Sequence, residues 1–91
     1  MMRITACAKG RVQGVGYRYF VTDCAREGGV SGFVKNMPDG SVTIVAEGNN
    51  DALDTFIEMV QTHSNKAIRV DALEVTRSEP TGEFFGFGIR W

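Results

Sequence analysis

One stretch of the sequence has the residue types and spacing of an anion site: Gly10-Arg11-Val12-Gln13-Gly14-Val15-Gly16-Tyr17-Arg18. Gly14 and Gly16 can take positive φ at little steric cost. A turn built on them can aim successive backbone N–H groups into one concavity, which suits an anion. A helix starting directly afterwards adds its unpaired N–H groups and the positive end of its dipole. Arg18 then falls at the helix start, where its planar fork can hold two phosphate oxygens. Two glycines two residues apart are, by themselves, better read as a plain strand-to-helix turn with a solvated arginine. The string matches neither the Walker phosphate loop nor the dinucleotide fingerprint.

The flanking sequence supplies elements that could hold such a loop. Residues 3–9 read as a strand, Gly10 to Gly16 as a turn-rich loop, and residues 17–27 as a helix. In that helix Tyr17, Phe20, Val21, Cys24 and Ala25 recur at helical spacing, and Gly28-Gly29 stops it. Residues 30–36 and Ser41 to Glu47 read as strands joined by the turn Met37-Pro38-Asp39-Gly40, a hairpin. Asn49 or Asn50 can cap a second helix with Leu53, Phe56, Ile57 and Val60 on one face, closed by Ser64-Asn65-Lys66. Val70 to Arg77 reads as a strand, and Phe84 to Trp91 as a final aromatic-rich strand after the break at Pro80-Thr81-Gly82. The order predicts an α+β, ferredoxin-like βαββαβ sandwich. Two helices lie on one face of a four- to five-stranded antiparallel sheet.

Bulk properties set limits. A chain of 91 residues has room for one small domain, residues 1–91. Hydrophobic content of 43% and charged content of 23% fit an ordinary soluble globular protein. The formal net charge of -1 gives no basic field, so nucleic acid is not an expected partner. No run of about 18 apolar residues predicts a membrane span. The start of the sequence lacks the apolar stretch of a signal peptide. Cys7 and Cys24 form neither a disulfide framework nor a CxxC pair, so two free thiols in a cytoplasmic protein are expected.

Several chemistries find no residues. The sole histidine, His63, sits near a helix end and reads as a solvated residue favouring the helix dipole. Neither cysteine is followed by arginine at the spacing of a thiol phosphatase. Asp51 and Asp54 fall on the exposed face of the second helix. No cluster suggests a metal, and no cofactor is expected.

The nine-residue string is followed by Gly32-Phe33-Val34-Lys35-Asn36 and Asp39-Gly40-Ser41-Val42. Together these blocks resemble the acylphosphatase family, in order and spacing, over essentially the whole chain. The resemblance implies a ferredoxin-like fold and hydrolysis of acyl phosphates to carboxylate and inorganic phosphate. It implies that Arg18 binds the substrate phosphate. The cradle would be the loop amides of Gln13, Gly14, Val15, Gly16, Tyr17 and Arg18. Asn36 would orient the attacking water, and a substrate phosphate oxygen would take the proton. A free-standing monomer acting on a small-molecule acyl phosphate is expected. At Gly28 the chain departs from the family, which tends to carry a bulky aliphatic residue there, and residues 64–69 lack a frequent Gly-Pro.

The chemistry is consistent with so few residues. The leaving group is a carboxylate whose conjugate acid has a pKa of about 4, so it departs without an acid. Charge in the loose transition state lies on the equatorial phosphoryl oxygens, where fixed dipoles and one arginine act best. The amide oxygen of Asn36 can accept a hydrogen bond from water, although asparagine before Pro-Asp-Gly is also an ordinary turn former. Ser41 could shape that turn or orient Asn36. The alternatives are a non-catalytic anion-binding module and an RNA-binding module using the aromatic strands.

Overall fold

The structure, a computed structural model, describes residues 1–62 and 66–91. Its elements are β1 (Met2–Arg11), α1 (Tyr17–Gly28), β2 (Ser31–Asn36), β3 (Val42–Gly48), α2 (Asn50–Gln61), β4 (Arg69–Ser78) and β5 (Phe87–Arg90). The sheet order is β4-β1-β3-β2-β5. Alternation along β1 buries Ile4, Ala6 and Ala8 on one face. The antiparallel register sets these three against Ala46, Ile44 and Val42 of β3. Val34 of β2 joins them across Ile44. Onto this face pack Tyr17, Val21, Cys24 and Ala25 of α1 and Leu53, Phe56 and Val60 of α2, in one core cluster. The helical periodicity of the sequence therefore matches the buried stripe, with Phe20 and Ile57 partly buried at its margin.

Three sequence expectations need correction. Gly10 and Arg11 belong to β1, because β4 stays paired past a register shift between Lys9 and Gly10. Gly10 takes φ 131°, and a Cβ there would run into the Arg69 carbonyl. The sheet is mixed: β5 pairs parallel to β2, with Lys35 beside Arg90. The final strand is also shorter than Phe84 to Trp91. β4 and β5 occupy opposite edges of the sheet, so residues 79–86 are used in crossing it. His63, Ser64 and Asn65 lie outside the described residues; α2 ends at Gln61 with Thr62 as its C-cap. Gly28 is the last residue of α1, and a Cβ there would meet nothing within 4 Å.

The crossing segment is anchored by a buried acid. Glu47, 2% exposed, accepts from Thr81 N at 2.8 Å and Gly82 N at 3.0 Å. Arg3 Nε donates to the same carboxylate at 2.8 Å and Arg3 Nη2 to Glu83 at 2.7 Å. Phe84 packs edge-on against Phe33 at 6.0 Å. The Thr81 amide, with Arg3 and Gly82, holds the Glu47 carboxyl down at about 2, against an ordinary 4.5. A depressed folded-state pKa contributes stability above the unfolded value and loses it as pH falls through the folded one. Acid titration of the wild type is therefore expected to show stability falling from about pH 4.5 towards pH 2. Glu47→Gln should be less stable at neutral pH and flatter over that window. An unchanged acid dependence in Glu47→Gln, followed by urea unfolding, would count against the anchor.

Candidate active site

The loop between β1 and α1 is pinned at three points. Val12 is buried at its start, and Tyr17, the first residue of α1, is buried at its end. The Tyr17 hydroxyl donates to Val60 O at 3.0 Å, tying the start of α1 to α2. Burial pushes that phenol's pKa well up, so it stays a neutral donor. In the middle, Gln13 Nε2 donates to Met37 O at 2.8 Å and Ser41 O at 2.9 Å. Those two carbonyls flank the β2–β3 turn, so one side chain locks the glycine loop onto the strand end that carries Asn36.

The loop conformation is the one its glycines permit. Gly14 has φ 73° and Gly16 φ 83°, and a Cβ at either would meet nothing. The requirement is therefore backbone conformation rather than space. Val15, between them, is half-buried and packs on the core. Gly16 is the N-cap of α1, with no side-chain cap and no acidic residue in the first turn. In α2 the contrast is direct: Asn49 Oδ1 accepts from Ala52 N at 2.8 Å and Asp51 lies in the first turn. The Phe20 amide is the first in α1 to bond back, to Gly16 O at 3.1 Å. The amides of Tyr17, Arg18 and Tyr19 thus emerge at an uncompensated positive helix end.

Arg18 is the second residue of α1 and half-buried. Its guanidinium carbon lies 4.3 Å from the centroid of the Trp91 ring. Asn36 is the last residue of β2. Among the described residues its Oδ1 is the one buried side-chain polar atom without a hydrogen-bond partner. A buried acceptor with no partner inside the protein needs an explanation beyond turn formation. The turn is shaped by its neighbours instead. Asp39 Oδ1 accepts from Ser41 N at 2.9 Å and Ser41 Oγ at 2.6 Å. The Ser41 hydroxyl and then its amide lower the Asp39 pKa.

Sequence reasoning missed two side chains here. Beside the amide that the resemblance implies, Gln13 has a side chain that joins the two signature blocks. Trp91 was expected at the end of a strand, whereas it covers Arg18. Neither contact follows from spacing, because each depends on tertiary pairing. A groove of about 530 Å³ between α1 and α2 has none of these residues and carries Asp23, Glu27 and Glu58. Three carboxylates make it a poor place for an anion. Among the described residues no group of three or more His, Cys, Asp or Glu is placed to hold a metal ion.

The arrangement defines a ferredoxin-like α+β sandwich with a glycine loop whose amides open at the start of its first helix and an amide oxygen with no protein partner beside it. Comparison with known proteins agrees. The acylphosphatase family model matches residues 4–89. The acylphosphatase of Methanospirillum hungatei is 43% identical over 82 residues, covering 90% of each chain. That of Thermus thermophilus is 48% identical, covering 90% of this chain and 92% of the relative. The crystal structure of acylphosphatase from Bacillus subtilis superposes with a TM-score of 0.94 at 38% identity, each chain fully covered. This chain belongs to the acylphosphatase family (EC 3.6.1.7), and its activity is the hydrolysis of acyl phosphates.

Proposed function

We propose that Arg18 and the amides of Gln13, Gly14, Val15, Gly16, Tyr17 and Arg18 hold the phosphoryl group. Asn36 Oδ1 then accepts a hydrogen bond from the water that attacks phosphorus directly. The observation that carries this reading is the unpartnered buried Oδ1 of Asn36, held beside the loop by Gln13. Negative charge on the transferring phosphoryl oxygens meets the Arg18 fork and the open end of α1. The carboxylate leaves unprotonated, and a phosphate oxygen of the substrate takes the water's proton. No metal or cofactor has a role, and one chain supplies the whole site, as a monomer. Two unpaired cysteines support a reducing compartment such as the cytoplasm.

Two measurements test the mechanism together. Hydrolysis in water labelled with heavy oxygen should place the label in inorganic phosphate within a single turnover, with none in the carboxylate. The rate should be unchanged after exhaustive treatment with EDTA. Label in the carboxylate would mean attack at the acyl carbon, and a rate abolished by EDTA and restored by a divalent cation would sink the metal-free route.

The RNA-binding alternative has an observation against it. Phe33 lies on the sheet face away from the helices, where bases would stack. Its ring is covered by the Arg90 guanidinium at 3.9 Å and met edge-on by Phe84. The stacking surface is already occupied.

A further inference from the structure

Trp91 is 82% exposed, so burial of apolar surface does not account for where its ring lies. It directly follows β5, whose parallel register sets Arg90 beside Lys35, the residue before Asn36. There the indole lies against the Arg18 guanidinium, 4.3 Å from ring centroid to carbon. An aromatic face attracts a guanidinium through its quadrupole, and two planar groups in contact fix each other's tilt. We infer that Trp91 is a positioning residue for Arg18: it fixes the plane of the fork while leaving the N–H donors at its edge to the substrate phosphate.

The choice of partner has a chemical reason. A carboxylate could also orient Arg18, but it would occupy the same donors that the phosphate needs. Arg3 illustrates that other arrangement, since its donors are committed to Glu47 and Glu83. Among the described residues no Asp or Glu forms an ion pair with Arg18. An indole uses the face of the guanidinium and none of its hydrogens. It therefore restricts the side chain without neutralising it, which lowers the ordering cost when phosphate binds.

The inference rests on the proposed role of Arg18, and the experiment separates the two. Trp91 is the sole tryptophan, so its emission reports the contact directly. Titrating the wild type with inorganic phosphate should shift the emission, with a midpoint matching the competitive inhibition constant. The shift should vanish in Arg18→Ala. Trp91→Leu should lower kcat about 10-fold by misplacing the fork and weaken phosphate inhibition about 2- to 5-fold. Its melting temperature should stay at the wild-type value, and Trp91→Phe should recover most of the loss. Wild-type kcat, KM and phosphate inhibition in Trp91→Leu would overturn the inference. So would an emission unmoved by saturating phosphate. If Arg18→Ala itself keeps wild-type turnover, the reading of the site fails; if Arg18→Ala is inactive and Trp91→Leu is not impaired, the positioning role alone fails.

Discussion

Arg18→Ala is expected to lower kcat/KM for an acyl phosphate by about 10³- to 10⁵-fold, the range in which a transition-state arginine acts in phosphoryl transfer. At 1.36 kcal/mol per decade this is about 4–7 kcal/mol of lost transition-state stabilisation. The size follows from how few charges the site has. The loop contributes dipoles, the α1 terminus a partial charge, and Arg18 the full positive charge. Inhibition by inorganic phosphate should be lost as well, because product and transition state share the equatorial oxygens. Arg18→Lys should restore only a small part. It keeps a charge but not a planar fork, and an ammonium has a different fit to the Trp91 ring. Stability should barely change, since the Arg18 side chain makes no ion pair among the described residues. Retention of phosphate inhibition in Arg18→Ala would remove Arg18 from the phosphate site.

How much of this was legible in the sequence depends on how local each feature is. The loop was readable because Gly14 and Gly16 announce a backbone conformation that depends on few other residues. Both helices were readable because Val21, Cys24 and Ala25, like Leu53, Phe56 and Val60, repeat at the helical period and face one core. The last strand was not. Phe84 to Trp91 has glycines at 86 and 88 and no clean alternation, and only the crossing of the sheet decides where pairing resumes. Its parallel direction follows from β4 lying at the far edge, which no local pattern records. Glu47 was equally hidden. An acid closing an apolar strand reads as its solvated end, yet the amides that bury it lie 34 and 35 residues away. Gln13 shows the same limit, with acceptors 24 and 28 residues distant.

Asn36→Ala is expected to separate binding from turnover. Removing the acceptor that orients the water should lower kcat about 10²- to 10³-fold, the scale of one well-placed polar group in a catalytic site. KM and phosphate inhibition should stay within about threefold, because the loop and Arg18 are intact. Asn36→Asp is the informative control. It keeps an acceptor but sets a negative charge beside a phosphoryl anion, so phosphate binding should weaken where Asn36→Ala leaves it alone. The same residue makes an unusual stability prediction. Truncating a half-buried side chain ordinarily destabilises, but here the deleted oxygen makes no hydrogen bond to another described residue. No hydrogen bond within the protein is lost with it, so the cost is limited to the lost packing. Asn36→Ala should therefore lose little stability in urea, while its activity collapses. A residue present only to form the turn would behave in the opposite way, losing stability and keeping kcat. Chemical denaturation and steady-state kinetics on the one variant decide between them.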